Sequence, residues 1–573
     1  MTQIKPVTAV FSVLLLTACS VTPDADSGAS DAQQPAASYT EEPWSEEVLF
    51  QLRAAAHAGT SAEHGEAVAQ LLEEARVQQD LSLLRRAAGL AWRMQAWPGL
   101  IEATELWLSW EPGAVDARRL QILAYLNAGQ SGNAIAAMQD WLAATPDEID
   151  TLLSREFVQI LASAEDTQGR LALLDTLIEE AGLDPQSPLA MAARSRLLWE
   201  TGRPDQAFDQ ARLAAEQSGL RDDLVWAAQL ASSMQDDPAA LQFYRQARAV
   251  APDEWTLGLA EAQILRNMDQ IDEALDVIAQ LPDNPDVLYS RASYLYENGE
   301  AEAALAVWQQ LADWAPVEDV DQHAFMVAWL AEFLQLDDRA AEWYAQVRGG
   351  PQVDRAMIRR AVLLAEAGQL AEARELLTLA RDTESADQRE RAFLVEAELL
   401  TERDQANEAI SLLTEALRES PGSISLLYAR AISAVEQDNL DLAEQDLRRI
   451  IRIDGENAMA LNALGYTLTD LTTRHSEAYR LIRRALELSP EEPAILDSMG
   501  WVYFRLGRPA EALPYLERAL AGEDNPEIAA HLAEVLWTLE QTERAAEVLR
   551  DSSQRHPADE HLADVIERLE ITL

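Results

Sequence analysis

From about residue 81 onward the apolar positions fall into short helical runs that come in pairs, and no stretch alternates Val, Ile and Thr as a strand would. Small residues mark the period. Ala207, Ala240, Ala274, Ala304, Ala340, Ala373, Ala409, Ala443, Ala478, Ala512 and Ala545 follow one another at steps of 30 to 36 residues. Another small residue stands twelve positions before most of them: Ala228, Ala262, Ala292, Ala328, Ala361, Ala397, Ala431 and Ala533. Gly465 and Gly500 take that place in two units, with one inserted residue after Gly465. Pro112, Pro146, Pro252, Pro316, Pro421, Pro490 and Pro557 close units, because proline cannot continue a helix.

This pattern predicts an antiparallel helix pair per unit. Ala or Gly where the two helices cross lets their backbones approach, and Gly202, Gly299, Gly368 and Gly507 fall where the first helix must end. The unit from Pro493, with Leu496, Met499-Gly500, Tyr503, Gly507, Ala512, Leu516 and Ala519, resembles the tetratricopeptide repeat, whose period is about 34 residues. The resemblance implies an all-α fold, a tetratricopeptide-repeat α-solenoid in which antiparallel helix pairs build a superhelix. Regular repeats are expected over 188–573 and divergent helical repeats over 44–187, about fourteen units in all. One unit between Ala134 and Ala207 is degenerate, with Leu171 near the expected small position.

The N-terminus reads differently. Lys5 gives a positive start, Val7 to Leu16 are apolar over a length too short to span a bilayer, and Leu16-Thr17-Ala18-Cys19 follows. That tetrapeptide resembles the lipobox of bacterial lipoproteins. The resemblance implies a signal peptide over 1–18 and acylation of Cys19. Ser20, rather than Asp, implies the outer membrane, with the chain facing the periplasm. Residues 19–43, rich in Ser, Thr, Asp, Ala, Gln and Pro, are expected to form a disordered tether. The membrane would be touched through the lipid anchor alone.

Composition narrows the function. The chain has 573 residues and a net charge of −53, which repels phosphates and excludes nucleic acid as a partner. Lys5 is its only lysine and Cys19 its only cysteine, so the body has no phosphate-loop lysine, Schiff-base lysine, catalytic thiol or disulfide. No H-E-x-x-H, G-x-S-x-G or Gly-rich phosphate loop occurs, and the seven histidines are scattered. The chain is expected to be no enzyme and to need no cofactor or metal.

Asn462-Ala463-Leu464-Gly465-Tyr466-Thr467-Leu468-Thr469-Asp470, followed by Ala478-Tyr479 and then Pro493 to Gly507, goes beyond the generic repeat. With the lipobox and the length, it resembles the outer-membrane repeat lipoproteins that partner a periplasmic carboxyl-terminal processing protease. That resemblance implies a non-catalytic adaptor holding the protease and its cell-wall hydrolase substrates. A scaffold for envelope assembly, secretion or polysaccharide export is the alternative. In such repeats the first helix of each unit lines the concave face. Its outward positions here are Asn462, Tyr466, Thr469 and Asp470, then Asp497, Trp501, Phe504 and Arg505, with Trp537 taking the place of Phe504 in the last unit. Aromatics among hydrogen-bonding groups are the usual makeup of a binding hot spot. Alternatively, Tyr466 and Trp501 pack between neighbouring units and only stabilise the stack.

Overall fold

The computed structural model describes residues 61–145, 148–163, 169–316, 319–383 and 385–571, with side chains from residue 67. Cys19, the leader and the tether lie outside the described residues. Among the described residues the fold is all-α, a run of antiparallel helix pairs without a strand. No described helix is long and apolar enough to cross a membrane.

Two compact units divide the described chain, one ending at Trp314 and the other beginning at Ala315. In the first, successive pairs bury Leu72, Leu84 and Leu100, then Ile122, Trp141 and Phe157, then Ala228, Phe243 and Leu265. The degenerate unit is visible here. A wide π turn at Leu152–Glu156 interrupts its first helix, and its second, Arg170–Glu180, buries Leu174, Leu177 and Ile178. Leu171, expected at the small position, is only half-buried, because Leu174 one turn later faces the core. The second unit repeats the pair from Val320–Phe333 to Thr542–Arg555, and a last helix, Glu560–Arg568, covers the end of the stack with Leu562 and Val565.

Close helix crossings explain the small-residue period. All eleven marker alanines from Ala207 to Ala545 are completely buried. A Cβ on Gly465 would stand 2.4 Å from Ile482 Cγ1 and 3.3 Å from the backbone oxygen of Ala478. On Gly500 it would stand 2.5 Å from Leu516 Cγ and 3.2 Å from the oxygen of Ala512. The pairing of each Gly with the next marker alanine is therefore a direct helix contact. Ser195 fills the same place in the unit of Ala207, and its hydroxyl donates to the Ala207 carbonyl at 2.7 Å.

The turn inside each pair is also uniform. Gly202, Gly299, Gly368 and Gly507 have positive φ, as their positions predicted. Their neighbours close the six-to-one bond of a Schellman cap, as when Glu300 N donates to Leu295 O at 2.8 Å. Other units place Gln235, Asp269, Gln335, Asp404, Asp438 and Glu540 in the same left-handed conformation. The turn geometry is thus kept where glycine is not.

Buried carboxylates between helices are paired with arginine. Glu261 receives Arg245 at 3.1 Å and Arg248 at 2.9 Å, Glu396 receives Arg374 at 2.9 Å and also Arg381, and Asp446 is held by Arg430 at 2.7 Å. Each such carboxylate would be costly alone and is neutralised where it lies.

Candidate functional site

Three successive first helices of the second unit, Ala458–Leu471, Pro493–Arg505 and Pro526–Thr538, differ from the amphipathic norm. Residues 460–469, 494–502 and 527–536 are buried without a break. An amphipathic helix on a stack buries one stripe. Here the stripe facing away from the second helices is enclosed as well, and it carries polar side chains.

Those side chains meet across the helices. Nδ1 of His531 lies 2.9 Å from Oδ1 and 3.1 Å from Oδ2 of Asp497, one unit earlier. The His531 ring stacks on Trp501 with centroids 4.0 Å apart at 16°, and Trp501 in turn stacks on Phe504 at 5.2 Å. Tyr466 donates its hydroxyl to Glu527, two units later, passing over the helix between them. Asn462, one turn before Tyr466, reaches the carbonyl of Ala494 with Nδ2 at 3.5 Å. At the edge of the cluster Arg505 donates to Asp470 at 3.3 Å, and Arg568 pairs with Glu534.

The charges follow from this packing. Burial alone would depress His531, but Asp497, Glu527 and Glu534 outweigh it and raise the imidazole to about 9, so it is cationic at neutral pH. Burial pushes Glu527 above the usual carboxylate range, with His531 opposing. Burial, reinforced by Glu527, Asp470 and Asp497, holds the Tyr466 hydroxyl well above the ordinary tyrosine range, so it acts as a donor.

The structure brings together most of the residues expected to line the groove, but it places them differently. Asn462, Tyr466, Asp497 and Trp501, expected as outward positions, are 2%, 4%, 1% and 7% exposed. They converge because the three helices lie side by side and their side chains fill the space between them. Thr469 is buried too, bonding back to Gly465 O at 2.9 Å. Asp470, Phe504 and Arg505 are half-buried at the rim. Trp537, also half-buried, belongs with Leu549, Leu562 and Val565 at the end of the stack. The Asp497–His531 pair links these two helices, and Trp537 holds the place of Phe504, since Gly500 and Ala533 mark the same position of their units and stand 33 residues apart, as Phe504 and Trp537 do.

Glu527, His531 and Glu534 were not singled out in the sequence. Asp497 stands one repeat after Asn462, but the equivalent position of the next unit is Ala530, so His531, one residue on, was not marked by the column. Among the described residues no group of three or more His, Cys, Asp or Glu is arranged to hold a metal ion.

Models of the tetratricopeptide repeat match residues 428–493 and 503–569. A TPR repeat-containing protein of Pseudomonas aeruginosa is 31% identical over 496 residues, covering 86% of this chain and 82% of that relative. This chain belongs to the tetratricopeptide-repeat family. Such repeats are protein-interaction scaffolds, typically non-catalytic, and no catalytic family matched this repeat chain. The type IV pilus assembly protein PilF of the same organism is 29% identical over 128 residues, 22% of this chain and half of that relative's length. A solved tetratricopeptide repeat protein from Parabacteroides merdae has a TM-score of 0.37 at 16% identity, covering 44% of this chain and 99% of its own.

Proposed function

We propose that this repeat protein is a periplasm-facing adaptor, anchored at the outer membrane through Cys19, that presents cell-wall hydrolases to a carboxyl-terminal processing protease. The anchor rests on Leu16-Thr17-Ala18-Cys19, and the adaptor role on the resemblance of residues 458–520 to that class of lipoprotein. The observation that carries a binding role is the enclosed polar cluster on three successive first helices. A stack needs only apolar stripes, and Asp497, Glu527 and His531 are costly to bury for stability alone.

The test is reconstitution. Purified processing protease and a cell-wall hydrolase are incubated with and without the repeat protein. Faster cleavage in its presence is expected, and an unchanged rate rejects the adaptor role. Cys19→Ala is expected to release the chain from the outer-membrane fraction, and unchanged fractionation and mass reject the anchor.

The alternative, a scaffold for envelope assembly, gains support from the local likeness to a pilus assembly protein. A scaffold would copurify with assembly or export components and leave proteolysis unchanged.

A further inference from the structure

Two second helices of the C-terminal part carry a surplus of bases, in a chain whose net charge is −53. Leu440–Ile453 and His475–Leu488 lie side by side, bridged from Arg448 to Glu477 at 2.6 Å and from Arg474 to Glu444 at 2.8 Å. Past that bridge stand Arg449, Arg452, Arg480 and Arg484. Arg452, Arg480 and Arg484 are exposed and Arg449 is half-buried. Among the described residues none of the four has a hydrogen bond or an ion pair. Two apolar side chains stand open beside them, Ile453 at 50% and Leu488 at 39% exposure. Helical spacing sets Arg449 next to Arg452 and Ile453, and Arg484 midway between Arg480 and Leu488. Ile453 and Leu488 hold one position of successive units, ten residues after Ala443 and Ala478, and Arg449 and Arg484 hold another, six residues after them.

The surrounding charges leave this surplus in place. The buried Asp446 belongs to Arg430. Without it, the two helices and Arg474 carry seven arginines against Asp441, Glu444, Glu477 and Glu487. On the flanking second helices Glu419 pairs with Arg389, Glu511 with Arg508 and Glu517 with Arg544, and Glu415 acts on Arg381. The remaining acids stand in the turns that follow the two helices. There Glu491 pairs with Arg518, Asp454 accepts from Glu456 N and Asn457 Nδ2, and Glu456 and Glu492 complete the set. A base in the last turn of a helix is favoured by the helix dipole, which accounts for Arg452. It does not account for Arg480, in the second turn of its helix, or for the like-charged pair it makes with Arg484 four residues on, which opposes the helix. Nor does it account for open apolar side chains between the arginines.

We propose that this outer face docks a short acidic segment of a partner protein, its carboxylates pairing with Arg449, Arg452, Arg480 and Arg484 while two apolar side chains rest on Ile453 and Leu488. Guanidinium groups take carboxylates in paired hydrogen bonds, and free ones are poised to do so. Helices packed side by side lie about 8–10 Å apart, and three residues of extended polyproline-type chain span about 9 Å. The matching segment therefore has apolar residues three apart with acids between and around them. An anionic membrane fits less well. Charges act over about 8 Å at physiological salt, so a few residues meet this face alone, whereas a lipid surface also meets the acidic remainder of the chain. The face lies on second helices, apart from the first-helix cluster, and the proposal does not rest on the adaptor role.

The experiment uses the full chain and the peptide acetyl-Glu-Glu-Leu-Glu-Glu-Leu-Glu-Glu-amide carrying an uncharged fluorophore, with binding read by anisotropy. The same peptide with glutamine for every glutamate is expected to bind at least tenfold more weakly. Replacing both leucines by serine is expected to weaken binding at least threefold. The double variant Arg480→Gln, Arg484→Gln is expected to lose at least tenfold while keeping its melting temperature, and Arg203→Gln, an exposed arginine of the first unit, is expected to bind as the unaltered chain does. Equal binding of the glutamate and glutamine peptides by the unaltered chain overturns the proposal, whatever the variants do. Equal losses in the double variant and in Arg203→Gln overturn it as well, since the attraction is then not local. Phosphatidylglycerol vesicles that sediment the unaltered chain but not the double variant, or self-association that the double variant abolishes, would give the face to lipid or to a second copy and overturn the acidic-segment assignment. Protease stimulation is measured separately without peptide, so either reading can fail alone.

Discussion

His531 and Asp497 form a buried ion pair across two successive repeats, with Nδ1 2.9 Å from Oδ1. The pair joins the first helices of two successive repeats, beside the stacking of the His531 ring on Trp501, and its strength depends on the proton that His531 retains.

That dependence has a definite sign. His531 rises from an ordinary 6.5 to about 9 on folding, so its contribution is complete below about pH 6.5 and is lost as pH climbs through about 9. Asp497→Asn is expected to destabilise the chain by about 3–5 kcal/mol in the low window, the cost of leaving a buried charge alone. Thermal melts of both proteins from pH 6 to 10 check this. The gap between them should narrow with rising pH, and a constant gap would count against the ionised pair.

Glycines separate by what surrounds them. Gly500→Ala forces a methyl against Leu516 and the Ala512 carbonyl, and a loss of about 1–3 kcal/mol is expected. Gly89, in the helix Leu81–Arg93, has nothing within 4 Å of the same position. Gly89→Ala is expected to gain about 0.5–1 kcal/mol through helix propensity. Urea titration of both variants gives the comparison directly.

Arginine pairs should divide by burial. Arg430→Ala strands the buried carboxylate of Asp446, and a cost of about 3–5 kcal/mol is expected. Arg339 pairs with Glu342 in the open, and Arg339→Ala should change stability by less than about 1 kcal/mol. Equal losses from the two variants would mean that burial does not govern these pairs.

Binding is best tested at the rim. Trp501→Ala removes a buried ring and is expected to cost about 3–5 kcal/mol of stability, which confounds any loss of capture. Phe504→Ala and Arg505→Ala touch half-buried side chains and should leave folding nearly intact. If the face is a recognition surface, partner capture falls about tenfold, or about 1.4 kcal/mol, in these two variants. Unchanged capture in both would return the cluster to a purely structural role.

The repeat was legible because its cause is steric and local. Ala or Gly at a helix crossing cannot be replaced by a bulky residue, so the period survives in the sequence, and the chain turns at Gly202, Gly299, Gly368 and Gly507 were readable for a similar reason. Turns at Gln235 or Glu540 were not, because nothing in those residue types announces a left-handed backbone. The cluster was half legible. Helical spacing placed Asn462, Tyr466, Asp497 and Trp501 on one face, but it carried no information on how closely the next helix approaches that face. Hence their burial, and the parts played by Glu527 and His531, emerged only when the three helices stood side by side.

The bond from Tyr466 to Glu527 skips a repeat. A chain of stacked units ordinarily loosens from its end one unit at a time, since each holds only its neighbours. Opening Pro526–Thr538 here also strips Tyr466 of its partner two units back, leaving a buried hydroxyl unsatisfied. The segment from Ala458 to Thr538 is thereby coupled beyond nearest neighbours. In hydrogen exchange its amides should open together, as one cooperative block, while the pairs before it fray in sequence.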